Sequence, residues 1–254
     1  MSLVDLGVSE FEKRLEKRGL EKSTKDKYAQ LVESAGDRNL LTWIQEKVNS
    51  NTSIGTLLPM RAAVKHYLIA EMGYDADEVD SLLPKVQGSE SVTRTALSPT
   101  QLATYHAAVE RSVPEPAKTM LSLLPMTGLK ISEMCLLKLE DLHLRGDKKY
   151  IEVKGQNGTA RAVVLNKSAV GLLLRYLEKH QPKNLLFDIS PHGIRKYTRR
   201  MGVEYRDLSA VSPEVLRVTY AVMALKQGID LVSLQRTLGH QNLATTRRYL
   251  DQVV

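Results

Sequence analysis

Leu238-Gly239-His240-Gln241-Asn242-Leu243-Ala244-Thr245-Thr246-Arg247-Arg248-Tyr249 is the most informative stretch of this 254-residue chain. A glycine between Leu238 and His240 marks a helix end and a turn, because glycine enters the left-handed backbone region without a Cβ penalty. The residues after it read as a short helix over about 243–250 that carries Tyr249, nine residues beyond His240. Taken alone, Tyr249 would be the half-buried end of an amphipathic helix. A Leu-Gly-His turn, a Thr-Thr pair and a tyrosine at that spacing together say more than any one of them.

Upstream, Ser212-Pro213-Glu214-Val215-Leu216-Arg217-Val218-Thr219-Tyr220-Ala221 opens a helix over about 213–227, and Asp230 opens another over about 230–238. Further helices read at about 168–179 and 191–204. The clear β signal is Tyr150–Leu165, where two short runs rich in β-branched residues flank Gly155-Gln156-Asn157-Gly158, the pattern of a hairpin. Lys154 stands at that turn and Arg161 on the return strand. Thr127-Gly128-Leu129-Lys130-Ile131-Ser132-Glu133-Met134 is a glycine turn leading into an amphipathic helix, followed by Leu137, Leu139 and Asp141. Cys135 lies in an apolar run and reads as core.

The first 86 residues read as a small bundle of four helices. Their stripes run through Phe11, Leu15 and Leu20, then Tyr28, Leu31 and Val32 behind a Ser23-Thr24 cap. A third holds Leu40, Leu41, Trp43, Ile44 and Val48, and the longest runs from Leu57 to Met72, ended by Gly73. Residues 87–96 (QGSESVTRTA) have almost no apolar content and read as a linker. Ser98-Pro99-Thr100-Gln101 then supplies a cap, a proline at the first helical position and a capping box. The expected layout is a 1–86 helical domain, an 87–96 linker and a 97–254 domain.

Net charge is +7, and it is unevenly placed. Residues 1–86 hold 12 Lys/Arg against 14 Asp/Glu, while the remaining 168 residues hold 24 against 15. The second part is therefore the one suited to a polyanionic partner. A single cysteine excludes an internal disulfide and a cysteine-rich metal site, and suits a reducing compartment. No apolar run approaches the roughly 18 residues that a membrane span requires, and no signal peptide is expected.

The 238–249 stretch resembles the nucleophile box of the tyrosine recombinases, the family of the phage integrases. The 127–134 stretch resembles the family's first arginine box, Thr-Gly-x-Arg-x-Ser-Glu-(Leu/Met), and 213–221 its second, Pro-His-x-Leu-Arg-His-(Ser/Thr)-Phe-Ala. Thr24…Tyr28 and the Arg61…Tyr67 helix look like the helices of the family's core-binding domain. The resemblance implies a mainly α fold with a small β-hairpin or sheet, in two domains: a helical core-binding bundle and a recombinase-type catalytic domain. It implies that Tyr249 attacks a DNA phosphodiester to leave a 3′-phosphotyrosine. Arg217 and His240 would bind the phosphate, and Lys154 would protonate the leaving oxygen. Double-stranded DNA is the implied partner, with strand exchange in a homo-tetramer. No metal, nucleotide cofactor or small-molecule substrate is implied, and the place of action would be the cytoplasm, at the nucleoid.

Two positions depart from that pattern. Lys130 stands where the family has arginine, and a lysine is a point charge, not a planar fork. Glu214 stands where the family has histidine, and an ionised carboxylate repels a phosphate. If the two were neighbours, a Lys130–Glu214 ion pair would make both tolerable. Impaired cleavage is then expected, and the alternative is a recombinase-derived DNA-binding regulator or architectural protein without catalysis. Arg161, Arg195, Lys196, Arg199, Arg200 and Arg247 are further candidate phosphate contacts. Only Leu250–Val254 follow Tyr249, whereas many relatives carry a longer tail that docks on a neighbouring subunit.

Overall fold

In a computed structural model the chain divides into two compact units, Met1–Val92 and Thr93–Val254. The structure describes residues 10–50, 52–86, 94–155 and 160–253. Most of the 87–96 linker and the tip of the hairpin lie outside these residues.

The first unit holds five helices among its described residues: α1 (Glu10–Lys17), α2 (Lys22–Glu33), α3 (Leu40–Asn49), α4 (Ile54–Glu71) and α5 (Ala76–Leu82). Phe11 and Leu15 of α1 bury against Val32 and Ala63, and Trp43 and Ile44 bury with Met60, Val64, Leu68 and Val79. Two expectations change here. Helix α2 starts at Lys22 behind Glu21, so Ser23 and Thr24 lie inside the first turn and do not cap it. Helix α5, capped by the Asp75 side chain on the Asp77 amide, adds a fifth element. Its seven residues contain one buried apolar side chain, Val79, too few to set up a readable stripe.

The second unit runs α6 (Pro99–Ser112), α7 (Ala117–Thr127), α8 (Ile131–Leu136), β1 (Leu142–His143), β2 (Tyr150–Lys154), β3 (Ala160–Val164), α9 (Lys167–His180), α10 (Pro191–Glu204), α11 (Pro213–Lys226), α12 (Leu231–Leu238) and α13 (Leu243–Arg247). The expected capping box at Ser98 forms, with reciprocal bonds to Gln101 and Pro99 at the first position. The hairpin pairs Ile151 with Val163 and Val153 with Arg161, and the short β1 joins its outer edge to make three antiparallel strands. Helices α7 and α11 pack side by side and are apolar nearly all round, the pattern of helices inside a core. Met120, Leu121, Leu123 and Leu124 of α7 are fully buried, each worth about 2 kcal/mol of apolar transfer. A buried pair of this kind holds the end of α7 and the start of α11 in fixed relation, and the residues of interest lie at those ends.

The N-terminal segment of this unit is anchored locally. Gln252 donates to the Arg94 carbonyl and accepts from the Ala96 amide, and the Leu97 amide donates to Thr219. Residues 94–97 thus belong to the second unit.

Candidate nucleic-acid processing site

Arg217 is the centre of the site. It sits on the fifth residue of α11 and is buried, with 8% of its surface exposed. Its two terminal nitrogens donate to the carbonyls of Gly128 and Leu238, each at 2.6 Å. Those carbonyls belong to the C-terminal ends of α7 and α12, where a helix leaves unpaired acceptors and partial negative charge. Both ends turn through a left-handed glycine, Gly128 at φ 64° and Gly239 at φ 67°. At Gly128 a Cβ would overlap the Tyr220 ring, and at Gly239 it would lie 3.0 Å from the Arg161 guanidinium. The two glycines are required where the two helix ends close around the arginine. Burial lowers the pKa of Arg217, against the opposing charge of Glu133, and a guanidinium so placed stays charged.

Gly239 also presents His240. The amides of Gly239 and His240 bond back to Arg236 and Gln235, the double closure of a Schellman turn. Nδ1 of His240 lies 2.9 Å from the hydroxyl of the fully buried Thr246, which fixes the ring. Burial, then Arg217, Lys130, Arg161 and Arg248, push the His240 pKa down to about 4, so the ring is neutral at neutral pH. Tyr249 follows α13 and opens a 3-10 turn over Leu250–Gln252; its ring is 6.1 Å from that of His240 and packs on Ala221, Ala224, Leu234 and Leu238. The helix expected to reach 250 stops at Arg247.

Glu133 ties the cluster together. It accepts from the Lys130 amide at 2.8 Å and from Arg161 at 2.7 Å, and stands 4.0 Å from Arg217. Burial works to raise its pKa, but Arg161, the Lys130 amide and Arg217 outweigh it and hold the carboxyl below its ordinary range. Arg161 also donates to the Thr237 carbonyl, so this candidate phosphate contact is engaged within the protein.

Lys154 stands exposed at the end of β2, with its ammonium 2.9 Å from Asp141 and 3.2 Å from Glu140. The side-chain bonds to Asp141 and then Glu140 raise its pKa. The Lys130–Glu214 pair does not form. Glu214, in the first turn of α11, pairs instead with Arg195 of α10 at 3.1 Å, because α10 crosses the start of α11. Lys130 is exposed at the start of α8, close enough to His240 to act on its proton affinity. Lys196, Arg199 and Arg200 are exposed on α10, Arg200 pairing with Glu204, and Arg247 is exposed on α13. Cys135 is buried and its pKa is pushed up to about 11 by that burial, as a core thiol should be.

Glu133, Thr246, Asp141 and Glu140 thus join the site without having been given a role there from the sequence. All four lie inside or beside the quoted motifs, but only tertiary contacts give them partners. In the first unit Arg18, Arg61, Lys65 and His66 line a separate cavity of about 350 Å³ with Asp80 as its carboxylate. Among the described residues no group of three His, Cys, Asp or Glu side chains could hold a metal ion. No helix is long and apolar enough to cross a membrane.

Residues 95–253 match the phage integrase family, a stretch that contains every element converging on Arg217. The chain belongs to the phage integrase family. It is 31% identical to tyrosine recombinase XerD of Listeria innocua over 150 residues, which cover 52% of this chain and 48% of that protein. The chain thus spans about half the length of that relative. Against tyrosine recombinase XerA of Pyrococcus horikoshii the identity is 27% over 264 residues, covering 95% of this chain and 87% of the other. Among solved structures, a lambda integrase dimer bound to a core site superposes with a TM-score of 0.72 at 19% identity. That alignment covers 95% of this chain and 93% of the other, and shows that the fold is that of the phage integrases.

Proposed function

We propose that this phage integrase family member binds double-stranded DNA and cuts and rejoins one strand through a 3′-phosphotyrosine at Tyr249. The observation that carries the reading is the convergence of Arg217, His240 and Tyr249, from three separate elements, on one cationic cluster. The Tyr249 oxygen attacks phosphorus as its phenolic proton passes to solvent, the bond to the 5′-oxygen breaks, and that oxygen leaves with a proton. Arg217 uses two of its five N–H donors on backbone carbonyls, so three remain for non-bridging phosphate oxygens. In the tautomer that this reading uses, the Thr246 hydroxyl donates to Nδ1, and the neutral His240 carries its hydrogen on Nε2 and donates it to the phosphate. Lys154 is the candidate acid, and it must leave Asp141 and Glu140 to reach the 5′-oxygen. Lys130 supplies a further positive charge, and the exposed Lys196, Arg199 and Arg247 are the candidates to meet the flanking backbone.

In this reading residues 1–86 form the core-binding domain, 87–96 the linker and 97–254 the catalytic domain. Strand exchange proceeds in a homo-tetramer on DNA, in the cytoplasm at the nucleoid. The presence of Lys130 and Glu214 favours a second reading, a DNA-binding regulator that retains the fold without cleaving. A nicked suicide duplex separates them. Covalent protein–DNA complex that vanishes in Tyr249→Phe supports cleavage, and DNA binding without any covalent complex supports the regulator.

A further inference from the structure

We propose that Glu214 and Arg195 act as one composite group, the carboxylate at the start of α11 carrying the Arg195 guanidinium as a phosphate-binding cation of this site. The inference rests on the proposed reading of the site as a DNA phosphate centre. It answers the problem that a carboxylate beside a phosphate poses.

Glu214 is three residues before Arg217 on α11, a spacing that puts their Cβ atoms about 5–6 Å apart on one face. A phosphate that reaches Arg217 therefore comes near position 214. Burial works to raise the Glu214 pKa, but its own backbone amide, Arg195 and Arg94 outweigh it, so the group is ionised. A bare carboxylate there would push a phosphate away. It is not bare. Arg195 reaches across from α10 and places one Nη2 donor on one Glu214 oxygen at 3.1 Å, a single contact and not a two-point fork. Among the described residues this is the one side-chain partner of the guanidinium. Its Nε–H and the remaining terminal N–H groups are left for an anion, and Arg199, one turn on along α10, is exposed as well. Helix α10 also packs on α8, and Arg195 is close enough to Cys135, near the C-terminal end of α8, to affect that thiol. The residue that looks most damaging in the sequence thus holds a guanidinium at the start of α11, where the proposal brings it to the phosphate. Glu214 is a positioning residue, and Arg195 touches the phosphate.

The sign of one substitution tests this. Full-length protein is titrated with a labelled duplex of mixed sequence over a range of salt concentrations, and log K is plotted against log salt. Arg195→Ala should make the slope shallower by about 0.9, the contribution of one phosphate contact. Glu214→Ala, although it removes a negative charge, should weaken binding, and Arg195→Ala should then cost little more in that background. Glu214→Gln removes the same charge but keeps an acceptor for Arg195, so it should bind more tightly than Glu214→Ala. If Glu214→Ala and Glu214→Gln bind DNA equally well and more tightly than the unmodified protein, Glu214 is only a repelling charge and the proposal is wrong. An unchanged slope in Arg195→Ala overturns it as well. A salt-independent or absent response in the unmodified protein would instead sink the DNA reading, and this inference with it.

Discussion

Glu133 carries the sharpest stability prediction, because one carboxylate serves three groups. Its side chain is 14% exposed, that of Arg161 16% and that of Arg217 10%. Glu133→Ala removes the only carboxylate that the described residues place beside either guanidinium. Removing one partner of a buried ion pair costs about 3–5 kcal/mol, because the other charge is left uncompensated. Arg161 keeps the Thr237 carbonyl and Arg217 keeps two carbonyls, so the lower end, about 3 kcal/mol, is expected. For a unit of this size about 2–4 °C accompanies each kcal/mol, so the melting transition should fall by about 6–12 °C. Glu133→Gln separates the contributions, since it keeps an acceptor for the Lys130 amide and loses only the charge. It should recover about 1 kcal/mol of the loss. The pH dependence has a definite sign. The folded pKa of Glu133 lies below its unfolded value, so its stabilisation is complete above the ordinary carboxylate range and disappears as pH falls through the lowered folded value. The gap between the unmodified protein and Glu133→Gln should narrow on acidification. Thermal unfolding followed by circular dichroism measures both effects. A fall of less than about 2 °C in Glu133→Ala would mean that the pair is worth no more than a surface ion pair, and the bracing role would be refuted.

Three further outcomes follow from the site. Lys130→Arg alone should raise covalent trapping on a nicked duplex, by up to about 100-fold if position 130 reaches the phosphate, because Glu214 is already held by Arg195 and is not free to capture the new guanidinium; no increase would remove position 130 from the phosphate cradle. His240, with its pKa lowered to about 4, stabilises the fold fully above pH 6.5 and loses that contribution as pH falls from 6.5 towards 4. After solvent screening of a half-buried ring this is about 1 kcal/mol, and urea midpoints of the unmodified protein and His240→Gln that decline in parallel across the window would contradict it. Gly239→Ala meets a left-handed backbone and a guanidinium 3.0 Å from the new carbon, so about 1–2 kcal/mol should be lost, and an unshifted urea midpoint would show that the turn relaxes.

Much of this site was legible because its glycines and its arginine are local signals. Gly128 marks a turn and Gly239 a helix end in the sequence, and Arg217 stands in a recognisable helix start. What could not be read was why these three belong together: two helix C-termini, 110 residues apart in numbering, deliver carbonyls to one guanidinium. Partner choice among charges was equally hidden. Lys130 and Glu214 look like a compensating pair because one is a diminished cation and the other a gained anion. Their pairing depends on which helix crosses the start of α11, and that helix is α10. Helix α7, the most deeply buried, announces itself poorly for a related reason, since an element apolar on every side has no stripe.

The way Arg217 is held bears on how the site can bind an anion at all. An arginine buried against a two-point carboxylate would be well oriented, but its charge and its fork would both be occupied. Here the orientation comes from two neutral carbonyls at helix ends, and Glu133 stands off at 4.0 Å, beyond hydrogen-bond distance. Arg161 takes the close contact with Glu133 instead, so the carboxylate is satisfied without using the donors of Arg217. The same division recurs at the edges of the cluster. His240 is held by the hydroxyl of Thr246 and not by an acid, and Arg195 is held by one oxygen of Glu214 through one nitrogen. In each case the bond that fixes the group leaves donors over. Lys154 is the contrast, with two carboxylates on one ammonium. In the proposed mechanism it is therefore the group that must move before it can act, whereas the others keep donors free where they stand.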